Sequence, residues 1–143
     1  MEELIKPDAL ARLETCLRQG PQIDLNTEHC LSGGMYARTI HIPAGTVLVG
    51  TTHKTDHLNV VCGDISVSTD TGMRRLSGYC VLPTKAGMKR VGYAHADTTW
   101  TTVCKTDLLV IEEIEDELVE ESDQLQTRQH LISTKELKKL EES

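Results

Sequence analysis

The sequence predicts a mainly β domain, a small barrel or sandwich of short strands with helices at both ends, and three observations carry that prediction. From residue 37 to residue 105 apolar residues recur with period two and the composition turns to Val, Ile and Thr, as half-buried strands require. Gly, Pro and Asp break that stretch every several residues, at the spacing of tight turns. On either side the apolar period returns to that of a helix.

The elements follow in order. Residues 7–17 open with Pro7 and carry Leu10, Leu13 and Leu17 at helical spacing before Gly20-Pro21 stops the pattern, which predicts a short amphipathic helix. Strands are predicted over 39–43, 46–50, 57–62, 64–69, 73–77, 79–83, 88–94 and 98–104. Asp70-Thr71-Gly72 supplies the hairpin turn between the fourth and fifth of these. Gly33-Gly34 is read as a turn, not as a phosphate cradle. Residues 107–121 return to helical spacing, apolar on one side and carboxylate on the other. Ser133-Thr134-Lys135-Glu136 then has the form of a capping box that opens a last short helix. The division is a lead-in over 1–36, a barrel over 37–105 and an acidic helical segment over 106–143.

Composition narrows the function. The chain has 143 residues, enough for one domain with its own core. With no Phe, one Trp (Trp100) and three Tyr, that core is aliphatic; Trp100 is assigned to it. The net charge is −7, and acidic residues crowd 112–123, so a nucleic-acid partner or an anionic membrane is not expected. No apolar run is long enough to cross a bilayer and the N-terminus lacks the pattern of a secretory signal, so a cytoplasmic protein is expected. Cys16, Cys30, Cys62, Cys80 and Cys104 are scattered, without a C-x-x-C pair; they are read as reduced thiols, each a small buried apolar residue.

Two segments resemble the cupin superfamily. The stretch from Gly45 through His53, His57 and Gly63 is similar to its first motif, with His53 at a histidine position and His57 near the glutamate position. Pro83, Gly87 and Arg90 resemble the second motif, with arginine where a metal-binding histidine belongs. Arginine is a permanent cation that only donates, so it does not ligate a metal. The resemblance implies a double-stranded β-helix, or jelly roll, with a ligand pocket between the His53/His57 and Lys89/Arg90 segments. The order of helix, barrel and acidic helix is also similar to that of small cupin-like proteins of tailed bacteriophages, for which the location would be the host cytoplasm.

Two site chemistries follow. A divalent transition metal would take His53 and His57, with His41, His95 or Asp56 completing the set. A small anionic ligand, such as a sugar nucleotide, a nucleotide or an organic acid, would take Arg90 and Lys89, with His95 beside them. An enzyme of this kind would move protons, His57 or His53 as general base and Arg90 holding the developing charge. The alternative is a non-enzymatic structural or host-interaction protein that uses the barrel as scaffold. Two amphipathic helices beside so small a barrel predict a homo-oligomer in either case.

Overall fold

The structure, a computed structural model, describes residues 6–120 together with Ser122 and Leu125; the capping box at 133–136 lies outside the described residues. Helix α1 (Pro7–Gln19) begins with Pro at its first turn, where the missing N–H costs nothing. It is followed by β1 (Glu28–Ser32), β2 (Met35–Ile42), β3 (Val47–Val49), β4 (His57–Thr69), β5 (Gly72–Thr84), β6 (Val91–Ala94), β7 (Thr98–Lys105) and α2 (Ile111–Leu118). None of the described helices is long and apolar enough to cross a membrane.

The seven strands form one curled antiparallel sheet in the order β1-β2-β7-β4-β6-β3, with β5 on the other side of β4. Curling is achieved in β4. Its first half, Leu58–Cys62, pairs with β7, whereas Ile65–Val67 pairs with β6. Between the halves sits Gly63, directly opposite Gly78 of β5. Both have positive φ, 150° and 82°, a backbone that glycine adopts without steric cost. At Gly63 there is no room for any other residue: a Cβ would lie 2.4 Å from Thr98 Oγ1 and 2.6 Å from its Cα.

That hinge explains a difference from the sequence reading. Strands predicted separately over 57–62 and 64–69, and over 73–77 and 79–83, are continuous, because the glycines bend the ladder without ending it. A further strand, β1, begins at Glu28, ahead of the boundary read at residue 37. It is short and polar, with the alternation of a core strand absent, and it is held by its hairpin to β2 across Gly33-Gly34, whose φ values are 59° and 75°. The helix read over 107–121 spans only Ile111–Leu118.

Side-chain parity divides the sheet into an inner and an outer surface. Inward-facing Ile42, Val61, Ile65, Val67, Leu76, Leu82 and Ala94 make the main core. A second cluster joins Tyr36 and Cys104 at the sheet's end to Ile114, Leu118, Val119 and Leu125, docking α2. Burial in that cluster pushes the Cys104 thiol up to about 11, consistent with a packed apolar residue and not a nucleophile; Cys16, Cys30 and Cys62 are exposed, contrary to the sequence reading.

Candidate functional site

The inward parity that builds the core also lines a cavity of about 700 Å³, within the range typical of small-molecule sites. Cross-strand register brings its residues level. Arg38 of β2 stands opposite Thr102 of β7, and Thr102 opposite Asn59 of β4; Ile40 is opposite Trp100 in the same way. His57 faces Thr84 across β4 and β5. All of these line the cavity, as do His53, Met88 and Arg90. Leu17 and Arg18 of α1 contribute from the mouth.

His53 and His57 are brought together by the loop between β3 and β4. The Asp56 carboxylate accepts from Ala86 N at 2.8 Å, and Gly87 N donates to the His53 carbonyl at 2.9 Å, so the Gly87 turn clamps the histidine loop. On the other side Lys54 N donates to Leu118 O and Glu120 N to Thr52 O, tying the loop to the end of α2. The two rings lie 4.2 Å apart between centroids, tilted by 35°. Burial, then the neighbouring His57, lowers the His53 pKa to about 4, so His53 is neutral at physiological pH. His57 donates Nδ1–H to the Thr55 carbonyl at 3.0 Å, which leaves Nε2 as its basic nitrogen.

Arg90 is half-buried at the cavity wall. Nη1 donates to Ser68 O at 2.7 Å and Nη2 to Thr84 Oγ1 at 2.9 Å. Its Nε is buried and has no hydrogen-bond partner. Among the described residues no carboxylate pairs with it; burial lowers its pKa, opposed by the more distant Asp70. Thr84 passes its own hydrogen to Asn59 Oδ1 at 2.6 Å, and Asn59 Nδ2 donates to Thr102 Oγ1 at 3.0 Å. A buried polar row thus runs from Arg90 across β5, β4 and β7, each member hydrogen-bonded to the next.

The cavity's other inner guanidinium is neutralised. Arg38 Nη1 donates to Glu115 Oε2 at 2.9 Å, and Glu115 of α2 is only 4% exposed. Tyr36, which also hydrogen-bonds Arg38, has its pKa pushed up by burial to about 12 and lies 2.5 Å from His29 Nδ1.

Several residues singled out from sequence lie elsewhere. His41 is 44% exposed and pairs with Glu28 at 3.2 Å, outside the cavity; outward parity on β2 explains its position. His95 follows β6 on the outer surface, bonded to Ser66 Oγ at 2.7 Å and edge-on to Tyr93. Lys89 sits beside the mouth, where it forms an ion pair with Glu14 of α1. Trp100, read as core, packs against the core and also forms part of the cavity wall. Arg38, Asn59, Thr84 and Thr102 were not singled out from sequence. Their signal was parity: each shares an inward register with a residue of the core.

A transition metal, which the cupin resemblance implies, does not fit this donor set. Among the described residues no group of three or more His, Cys, Asp or Glu could hold a metal ion. Only His53 and His57 come together, the second with Nδ1 committed, and Asp56 is used to cap the Ala86 amide. Arg90 stands at the same cavity as a cation with no counter-ion among the described residues, which opposes a second positive charge there.

Fold and cavity define the class: a mainly β, cupin-like curled antiparallel sheet with an N-terminal and a C-terminal helix. No family model and no curated protein matches the chain. Among solved structures it is similar to KdgF from Halomonas sp., at TM-score 0.51 and 16% identity, over 63% of this chain and 87% of that one. A protein from Neisseria meningitidis aligns at TM-score 0.50 and 8% identity, over 65% of this chain and 96% of that one. A cupin-2 domain protein from Shewanella frigidimarina aligns at 0.47 and 8%, over 65% and 91%. At such identities the likeness to the first two speaks of fold alone.

Proposed function

We propose that this protein binds a small anionic ligand in the barrel cavity, with Arg90 as the anion-holding group and His53 and His57 beside it. The observation that carries the reading is the guanidinium of Arg90, half-buried at a cavity wall, with neutral acceptors on Nη1 and Nη2 and none on Nε. A buried charge without a counter-ion is costly, and an anion in the cavity relieves that cost. Trp100 is the chain's only tryptophan and lies on the wall, so its fluorescence reports occupancy. Titration with a panel of organic acids, nucleotides and sugar nucleotides should give saturable quenching for at least one class, weakened about tenfold or more in Arg90→Met. A panel without any response, in fluorescence and in thermal shift alike, would overturn the reading.

An isomerising activity is favoured by one further observation, the His57 tautomer. With Nδ1–H fixed on Thr55 O, Nε2 is the group that would take a proton while Arg90 holds the charge that develops. Loss of carbon-bound deuterium from a bound hydroxy or keto acid, followed by NMR and abolished in His57→Gln, tests this.

Homo-oligomer formation belongs to the same proposal. The outer surface of β4 and β5 carries Leu58, Val60 and Cys62 opposite Pro83, Val81 and Tyr79, with Leu58 47%, Val81 50% and Tyr79 71% exposed. Such a contiguous apolar patch suits burial against a second subunit. A monomer in light scattering at micromolar concentration would sink this part.

A further inference from the structure

The polar and apolar parts of the cavity differ in what they leave open to a ligand. Charge comes first. Of the two guanidiniums on its inner wall, Arg38 is matched by Glu115 and Arg90 by none of the described carboxylates. The cations nearer the mouth, Arg18 and Lys89, share Glu14, and Arg18 is 41% exposed, where water screens it. The interior therefore has one positive charge to be balanced. A dianion would bring a second negative charge that, among the described residues, no further inner-wall cation meets, only the exposed Arg18.

Hydrogen-bonding capacity comes second. Asn59, Thr84 and Thr102 look like a cradle for sugar hydroxyls, but Thr84 is spent on Asn59 and Arg90, and Asn59 and Thr102 are bonded to one another. The remaining wall includes Ile40, Ile42, Leu48, Ile65, Val67 and Trp100. Along that aliphatic stretch a hydrocarbon is favoured over a polyol, most of whose hydroxyls would lose water there without gaining partners.

From these two observations we infer that the ligand is a monocarboxylate with an apolar body, its carboxylate at Arg90 and its hydrocarbon against the aliphatic wall and Trp100. This deepens the anion-site reading and rests on it. The neutrality of His53 at physiological pH supports the same charge count.

The test compares three probes of one chain length, octanoate, octyl phosphate and 1-octanol, by calorimetry and Trp100 fluorescence. At about pH 7.5, above the second phosphate ionisation near 6, octanoate should bind about tenfold more tightly than either of the others. Lowering the pH to about 5.5 turns the phosphate into a monoanion and should narrow its deficit. Arg90→Met should erase the preference for octanoate over octanol, and Arg90→Lys, which keeps the charge, should retain part of it; equal melting temperatures show that both variants fold. If octyl phosphate or a sugar nucleotide binds more tightly than octanoate and Arg90→Met abolishes this, the monocarboxylate proposal falls and the anion site stands. If octanol binds as well as octanoate, or Arg90→Met changes nothing, both fall together.

Discussion

His53 and His57 are held ring against ring, 4.2 Å apart and tilted by 35°, although one belongs to a loop and the other opens β4. Burial and the facing ring hold the His53 pKa near 4, below its ordinary 6.5. The unfolded chain therefore binds the extra proton between these values. The stability this site contributes is complete above pH 6.5 and is lost as pH falls through 4. The loss is on the order of 3 kcal/mol at most, less for partial exposure. Urea unfolding from pH 7 to pH 4 should show this slope, and His53→Gln should flatten it while a milder slope from His29, also lowered by burial, persists.

The bend in β4 predicts an asymmetry between two glycines that face each other. Gly63→Ala forces a Cβ against Thr98 and the Asp97 carbonyl at 2.4–2.7 Å and should destabilise by about 3 kcal/mol or more. Gly78→Ala meets nothing within 4 Å and suffers only its positive φ, about 1 kcal/mol. Chemical denaturation of both variants checks the ordering.

Arg38 and Glu115 tie α2 to the barrel through a pair of low exposure, 17% and 4%. Glu115→Gln leaves the guanidinium without its counter-charge and should cost about 3 kcal/mol or more. The double change Arg38→Met with Glu115→Met should cost clearly less than that, because no buried charge is stranded. A double-mutant cycle in urea measures the difference.

The ion pair between Glu14 and Lys89 joins α1 to the segment before β6 at the cavity mouth. Being near the surface, it should contribute under about 1 kcal/mol to global stability. Its removal should act locally: in Glu14→Gln the amides of α1 should exchange faster by mass spectrometry, and those of β4 should not.

Much of this architecture was legible from residues alone. Period-two alternation of Val, Ile and Thr gave six of the seven described strands, β2 to β7, a reason, and Pro7 marked the start of α1. Gly63 and Gly78 were misread as strand ends, since a turn and a bend use the same residue. The difference lies in the register that pairs Gly63 with Gly78. In the site, histidine spacing and the Gly87-to-Arg90 segment drew attention to three residues that line one cavity, while His41, His95 and Lys89, chosen from an adjacent strand or from beside Arg90, lie outside it.

The sequence by itself determined the strand-rich core, the flanking helices and the acidic surface, because these depend on local periodicity and composition. Only the tertiary structure decided which charges are met and which are not. Arg38 finds Glu115 across 77 positions, whereas Arg90 finds, among the described residues, only a carbonyl and a hydroxyl. Pairing at that separation is set by how the sheet curls and where α2 docks, and so is the position of Arg90 at the cavity wall without a carboxylate partner among the described residues.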